Sequence, residues 1–117
     1  MSTKCQIGFY YYDDIQENLE NWRTLIYRRY DGNPKSVLPD LIRILKEFGV
    51  ASGDWDSEYL PAFLVSEMIP EHSIGISKEF HADLDFYYAI FPDKIKVFQC
   101  RYHQPHTDWK LIKSVKL

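Results

Sequence analysis

The sequence predicts one α+β domain over residues 1–117, with a mainly antiparallel sheet of five or six strands and two consecutive helices packed on one face. Three observations predict this class. Apolar and polar residues alternate near both ends of the chain, two helix-period segments follow one another in the middle, and turn signals separate these segments. The composition, 45% hydrophobic and 26% charged, is that of a folded globular protein.

Two strands are predicted before the first helix. Residues 4–12, K-C-Q-I-G-F-Y-Y-Y, place Cys5, Ile7, Phe9 and Tyr11 on one apolar face. Residues 22–30 are rich in β-branched and aromatic side chains, and both of their faces are fairly apolar. That pattern favours an interior strand, paired antiparallel with the first.

The first helix is predicted from its caps and its period. The sequence D-G-N-P at 31–34 is a strong turn signal, with Asn33 as N-cap, Ser36 as the rival cap, and a proline suited to the first helical position. The helix runs to Phe48, and Gly49 fits the position after its end. Its apolar stripe consists of Leu38, Leu41, Leu45 and Phe48, flanked by Val37, Ile42 and Ile44.

A second helix is predicted after a short loop. Asp56 or Ser57 caps it, and it runs to about Ile69, where Pro70 helps to end it. Its buried stripe consists of Leu60, Phe63, Leu64 and Met68. Two neighbouring amphipathic helices with strands on either side predict a helix pair that covers one face of the sheet.

The remaining strands are predicted at 74–77, 81–90, 94–102 and 109–117, with a turn at F-P-D-K. A two-residue turn pairs Ile90 with Ile95 and Tyr88 with Val97 on the core face, and it pairs Tyr87 with Phe98 on the other face. A slip of one residue would exchange the two faces.

Charge excludes some partners. The net charge of −3 argues against non-specific binding to nucleic acid or to an anionic membrane. Residues 94–117 nevertheless hold six of the 14 Lys and Arg but one of the 17 acids. Either a basic strand pair lies near acidic neighbours in the fold, or the C-terminal strands form a basic binding face.

Neither the cysteines nor the hydropathy pattern indicates secretion. Cys5 and Cys100 do not have the spacing of a disulfide framework or a zinc knuckle, and we expect no metal and no cofactor. The N-terminal residues lack the pattern of a signal peptide, and no apolar run approaches the roughly 18 residues that span a bilayer. We therefore expect a cytoplasmic protein without a membrane partner.

His81, Asp83 and Asp85 form the first candidate site. Histidine and carboxylates serve in metal sites and in acid–base catalysis. Alternate residues on a strand are roughly 6.5–7 Å apart, so His81 and Asp85 would be about 13 Å apart and could not share one ion. The alternatives are a solvated or hydrogen-bonded polar face, or a site built by a neighbouring pair with ligands from another strand or from the Asp31 turn.

Arg28, Arg29 and Asp31 form the second candidate site, at the end of the second strand. An arginine can bind a carboxylate or phosphate through two parallel hydrogen bonds. The structural alternative is an arginine that fixes the turn beside the aspartate. The alternation places the two arginines on opposite faces, so at most one of them serves a given pocket.

A third candidate is the sheet face turned away from the helices. It combines Tyr87, Phe98 and Tyr102 with Asp83 and Asp85, in a chain with nine tyrosines. Aromatic rings on an uncovered face need a partner, and the acids disfavour RNA, so a protein partner or a homodimer fits best. Alternatively, the N-terminal strands or the C-terminal segment cover this face.

Two segments resemble a small family of bacterial and phage-type proteins whose activity is not established. They are Y-R-R-Y-D-G-N-P at 27–34 with V-L-P-D-L at 37–41, and H-A-D-L-D-F-Y-Y at 81–88, preceded by I-G-I-S at 74–77. The chain departs from the family pattern at Arg29, Asn33 and Ala82, where the family has His, Tyr and Gly. The resemblance implies the fold rather than an activity, and the matching polar residues are Arg28, Asp31, His81 and Asp83.

The leading hypothesis is a non-enzymatic interaction or regulatory protein, such as a phage or host factor, that acts through the aromatic and acidic sheet face. The absence of a Gly-rich phosphate loop, a C-x-x-C motif and a G-x-S-x-G motif favours it. The alternative is a small metal-dependent hydrolase or nuclease that uses Asp31, His81 and Asp83 with Arg28. A third hypothesis is a small anionic ligand bound by Arg28.

Overall fold

A computed structural model describes residues 3–13, 18–100 and 108–117 of the chain. It confirms the α+β class, with a six-stranded sheet and two helices on one face. The elements are β1 (Cys5–Phe9), β2 (Thr24–Arg28), α1 (Pro34–Phe48), a short 3₁₀ turn (Val50–Ser52), α2 (Tyr59–His72), β3 (Ile74–Ile76), β4 (Phe86–Ile90), β5 (Lys94–Gln99) and β6 (Lys110–Lys116). None of the described helices is long and apolar enough to cross a membrane.

The strands follow the order β3-β2-β1-β4-β5-β6. β1 and β4 are parallel at the centre of the sheet, whereas every other neighbouring pair is antiparallel. Parallel neighbours require a long crossover, and the chain between β1 and β4 contains both helices. The sequence predicted the antiparallel pairing of β1 with β2 and of β4 with β5, but it carried no information about the central parallel contact.

Local signals placed α1 correctly. The Asn33 side chain accepts a hydrogen bond from the Ser36 N–H at 3.1 Å, which confirms Asn33 as the N-cap. Gly49 ends the helix with a φ of +95°, and its N–H reaches the carbonyls of Leu45 and Lys46. The predicted stripe is buried, except that Ile42 is exposed and Phe48 is half-buried.

α2 begins at Tyr59, with Glu58 in the N-cap position, one or two residues later than predicted, and it also ends later. The Asp56 carboxylate accepts hydrogen bonds from the N–H groups of Glu58 and Tyr59, at 2.7 and 2.8 Å, and so satisfies two of the free donors at the helix start. The helix continues through Pro70 to His72, so the predicted end was wrong. A proline disfavours the helical conformation of the preceding residue but does not forbid it.

The hairpin of β4 and β5 has the predicted register. Ile90 pairs with Ile95, Tyr88 with Val97, and Phe86 with Gln99. β4 starts at Phe86, however, so residues 81–85 do not form a strand and their alternation does not define a sheet face.

Both faces of the sheet are packed, although the helices cover only one of them. The first core lies between the sheet and the helices, and it includes Ile7, Ile26, Tyr88, Leu41 and Leu64. The second core lies on the opposite face. Its buried members are Tyr10, Leu25, Leu84, Tyr87, Ala89, Phe91 and Cys100, with Leu19, Trp22, Tyr27, Phe80, Phe98 and Trp109 packed against them. Loops and the entry to β6 therefore cover this face of the sheet, whereas the helices cover the other face.

Candidate functional site

The predicted aromatic sheet face is closed by the chain itself. Tyr87 is 0% exposed, and the rings of Phe80 and Trp109 pack against it at centroid distances of 5.3 and 5.1 Å. Phe98 is half-buried beside it, and Tyr102 lies outside the described residues. Of the two alternatives, coverage by the chain's own segments is the one that the structure bears out for Tyr87, which leaves that ring no room for a partner.

A buried glutamine fastens the segment that contains His81 across this face. Gln6 is 0% exposed, its amide group donates to the Glu79 carbonyl, and its amide oxygen accepts from the His81 N–H, both at 3.0 Å. The His81 ring stacks on Tyr27, with centroids 4.2 Å apart and planes within 9°. A buried amide with both ends bonded holds its partners in one geometry.

Lys4 fastens the same segment at its other end. Its backbone N–H donates to the Asp85 carboxylate at 2.8 Å, and its Nζ lies 2.8 Å from Asp83. This hydrogen bond from Lys4 lowers the pKa of Asp83. His81 Nδ1 lies 3.9 Å from Asp83, so the two side chains are neighbours at the surface. These contacts give all three polar residues of the first candidate site a structural role.

Arg28 lies on the other side of the sheet. Its guanidinium group is fully buried against the helices, 3.5 Å from Asp40 and 3.8 Å from the Met68 sulfur, and its Nε donates to the Tyr30 carbonyl. β2 points Tyr27 and Arg28 to opposite faces, so the sheet separates Arg28 from His81. The hydrolase hypothesis requires Arg28 to act together with His81 and Asp83, and the structure does not bring Arg28 to them.

Asp31 is exposed in the turn that leads into α1, with a φ of +55°. The Gly32 N–H donates to the Thr3 carbonyl at 2.9 Å, which places this turn next to the start of β1. No group of three His, Cys, Asp or Glu side chains with metal-ligand spacing occurs in the described part of the chain.

The two thiols are buried. Burial is the main cause that raises the pKa of Cys5 to about 12, and it also raises the pKa of Cys100. Both thiols are therefore protonated at neutral pH, which makes them poor nucleophiles.

Exposed aromatic side chains gather instead at the end of β1 and the start of α2. Tyr11, Tyr12 and Tyr59 are 39%, 74% and 70% exposed, and Trp55 lies half-buried next to Tyr11 at a centroid distance of 6.4 Å. The Tyr11 hydroxyl donates to Ser57 at 2.9 Å and joins the two elements. We call Tyr11, Tyr12, Trp55 and Tyr59, together with Asp54 and Asp56, the aromatic–acidic patch.

A pocket of about 340 Å³ opens within this patch. Its walls are Phe48, Gly53, Asp54, Trp55, Asp56 and Tyr59, which are three aromatic residues, two carboxylates and a glycine. The loop after α1 shapes it: the Asp54 N–H donates to the Gly49 carbonyl at 3.1 Å, and the Trp55 ring packs on Phe9.

The pocket is negatively charged. The hydrogen bonds that Asp56 accepts from Tyr59 and Glu58 lower its pKa, so it is ionised at neutral pH. The same bonds hold the Asp56 carboxylate at the start of α2, where the helix dipole stabilises a negative charge. Among the described side chains, the indole N–H of Trp55 is the one buried polar group without a hydrogen-bond acceptor, and such groups are rare in folded proteins.

The patch already accommodates one guanidinium group. The Arg23 side chain lies over the Tyr11 ring, with its central carbon 5.0 Å from the ring centroid. This intramolecular contact shows that the chemistry of the patch suits a planar cation.

Sequence reasoning missed this surface, because Tyr11 and Tyr12 were predicted to belong to the first strand, which ends at Phe9, and residues 51–56 were interpreted as a loop. The signal that could have identified it is compositional: adjacent tyrosines at 11–12 and the sequence D-W-D at 54–56 put aromatic and acidic residues together in loops. Comparison with protein-family models, curated proteins and solved structures finds no match. The family resemblance therefore stays a prediction.

Proposed function

We propose that this is a non-enzymatic interaction protein that binds an arginine-containing segment of a partner protein at the aromatic–acidic patch. The observation that carries the proposal is the pocket itself, in which Phe48, Trp55 and Tyr59 surround a concave surface together with Asp54 and Asp56. Aromatic faces attract cations, and carboxylates bind guanidinium groups through paired hydrogen bonds.

Arginine suits this pocket better than lysine. A guanidinium group is planar and weakly hydrated, so it can stack on an aromatic ring and hydrogen bond to a carboxylate at the same time. The contact of Arg23 with Tyr11 is an internal example at the same surface.

The proposal keeps the interaction hypothesis but moves its surface. The tyrosine excess that motivated the hypothesis is divided by the fold, because Tyr10, Tyr87 and Tyr88 are core residues whereas Tyr12 and Tyr59 are exposed. No observation favours the hydrolase alternative, since the sheet stands between Arg28 and the neighbouring pair His81 and Asp83.

Binding can be followed at the indole N–H of Trp55 by NMR of the ¹⁵N-labelled full chain. Trp22 and Trp109 pack in the second core and provide internal reference signals. The probe is the capped peptide Gly-Ser-Arg-Ser-Gly, and the matched control replaces arginine by citrulline, which keeps the shape but has no charge. We expect the citrulline peptide to bind at least about fivefold more weakly, because an exposed cation–π contact contributes about 0.5–1 kcal/mol and ionic contacts add to it.

Two variants locate the contact. Tyr59→Ala and Asp54→Asn should each weaken binding of the arginine peptide, because the first removes an aromatic wall of the pocket and the second removes one of its two carboxylate charges. Tyr30→Ala is the matched control, because Tyr30 is 45% exposed but lies beyond the opposite end of β2. Equal shifts with the arginine and citrulline peptides, or equal weakening by Tyr30→Ala and Tyr59→Ala, would refute the proposal.

A further inference from the structure

The last strand, β6, is an open edge of the sheet. It is seven residues long, and all its residues except Val115 are exposed. Within the described ranges, β5 is the only strand that pairs with it. The other edge strand, β3, has only three residues. A long exposed edge presents unpaired backbone groups to which another strand can bind.

The register shows which backbone groups face outward. The Leu117 N–H donates to the Asp93 carbonyl at 2.9 Å, and Lys116 and Ser114 lie opposite Lys94 and Lys96. In an antiparallel ladder, hydrogen-bonded and non-hydrogen-bonded pairs alternate. Ser114 and Lys116 therefore direct their N–H and C=O groups away from β5, toward the position of an added strand.

An apolar groove runs beside this edge on the helix side. Its volume is about 280 Å³, and apart from Lys46 and Lys116 it is lined by Ile42, Leu45, Val50, Ala51, Val115 and Leu117. Because side chains of a strand alternate between the two faces, every second side chain of an added strand would point toward this groove.

Lysines dominate the charge along the edge. Lys110, Lys113 and Lys116 are exposed and form no ion pair with a described residue, whereas Lys94 and Lys96 on β5 share Asp13 at 2.8 and 2.7 Å.

If two copies paired their β6 edges antiparallel with complete overlap, Lys110 would face Lys116 of the other copy and Lys113 would face Lys113 of the other copy. Like charges in opposed positions destabilise a strand pair, so this edge disfavours a second copy.

We propose that β6 binds an extended segment of a partner protein in which acidic and apolar residues alternate. The segment adds a seventh strand, its apolar side chains enter the groove, and its carboxylates lie on the opposite face beside Lys116. On β5, one strand further in, Lys94 and Lys96 share the single carboxylate of Asp13 and so keep one net positive charge on that face. Backbone hydrogen bonds supply the affinity common to all extended segments, whereas the groove and the lysines supply the selectivity. This site is separate from the aromatic–acidic patch and does not depend on it.

The test uses the capped peptide Glu-Val-Glu-Val-Glu-Val and its isosteric control, in which glutamine replaces each glutamate. Binding is measured by calorimetry at low and at high salt, and hydrogen exchange reports on the amides of Ser114 and Lys116. We expect the glutamine peptide to bind at least about fivefold more weakly, since several exposed ion pairs are lost, and salt should reduce this difference. Bound peptide should slow exchange at both amides.

Variants distinguish the site from general charge effects. Ser114→Pro removes an outward N–H without removing a bond to β5, so it should abolish binding while the protein stays folded. Lys116→Glu should weaken binding, whereas Lys78→Glu, at an exposed loop position, should not. Tyr59→Ala should not change the affinity for the acidic peptide. The acidic-peptide experiment and the arginine-peptide experiment can therefore fail independently of each other.

Three results would overturn this inference: equal binding of the two peptides, protection of β3 amides instead of β6 amides, or a concentration-dependent dimer that Ser114→Pro weakens. A single-stranded oligonucleotide that competes with the acidic peptide at equal affinity would also overturn it. That result would show that the lysines bind any anionic chain and that pairing with β6 is not needed.

Discussion

Replacing Gly8 in the central strand is expected to destabilise the protein, because the Tyr87 hydroxyl occupies the space above it. A Cβ at this position would lie 1.8 Å from the Tyr87 oxygen and 2.9 Å from the ring carbon that carries it. Gly8 pairs with Leu25 on one side and Ala89 on the other, so the backbone cannot move away without disturbing three strands. The change Gly8→Ala therefore forces two buried groups apart in the most enclosed part of the sheet.

The magnitude follows from two opposing effects. Overpacking a buried site costs about 1–3 kcal/mol, whereas alanine gains about 0.5–1 kcal/mol over glycine in backbone entropy. We expect Gly8→Ala to lower the free energy of unfolding by about 1–2 kcal/mol. Tyr87→Phe should cost about 0.5–1.5 kcal/mol, because the Tyr10 hydroxyl loses Tyr87 but keeps the Leu19 carbonyl at 2.6 Å.

The double variant separates the clash from a general effect. In the Tyr87→Phe background the closest atom is gone, so Gly8→Ala should cost about 1 kcal/mol less than in the parent protein. Urea unfolding followed by circular dichroism measures all four free energies, and unchanged m-values would show that the unfolded states are comparable. If the free-energy costs of Gly8→Ala and Tyr87→Phe are additive, the Tyr87 hydroxyl does not explain why residue 8 is a glycine.

Asp40→Asn should lower the free energy of unfolding by about 1–3 kcal/mol in urea unfolding, because it removes a negative charge 3.5 Å from the buried Arg28 guanidinium; no loss would show that the other contacts of Arg28 are sufficient to stabilise it. Since Lys4 lowers the pKa of folded Asp83, the Lys4–Asp83 pair stabilises the protein above the ordinary carboxyl pKa of 3.8 and is lost as the pH falls through the lower folded pKa. The parent should therefore lose slightly more stability than Asp83→Asn between pH 6 and pH 2, and equal losses would contradict this. Native protein should not react with a thiol reagent at pH 8, because burial holds both cysteines protonated, whereas urea should expose two thiols; fast labelling without urea would contradict the burial of Cys5 and Cys100.

The candidate site was predicted only in part, for a specific physical reason. The motif containing His81, Asp83 and Asp85 was correctly identified as polar, but its role depends on Lys4 and Gln6, which lie more than 70 positions away in the sequence. Arg28 is buried because Asp40, Met68 and the Tyr30 carbonyl surround it, and three contacts from different elements leave no local signal. The pocket at Trp55 was missed because its walls come from the end of one helix and the start of the next.

The sequence by itself determined four features that depend on neighbouring residues. The alternation in β1, the cap at Asn33, the stop at Gly49 and the register of the β4–β5 hairpin depend on interactions within a few positions or across one turn. The tertiary structure alone decided the parallel contact of β1 with β4, the closure of the second face over Tyr87 and the exposure of β6. These features depend on which surfaces meet after both helices cross the sheet, and local periodicity does not encode that choice.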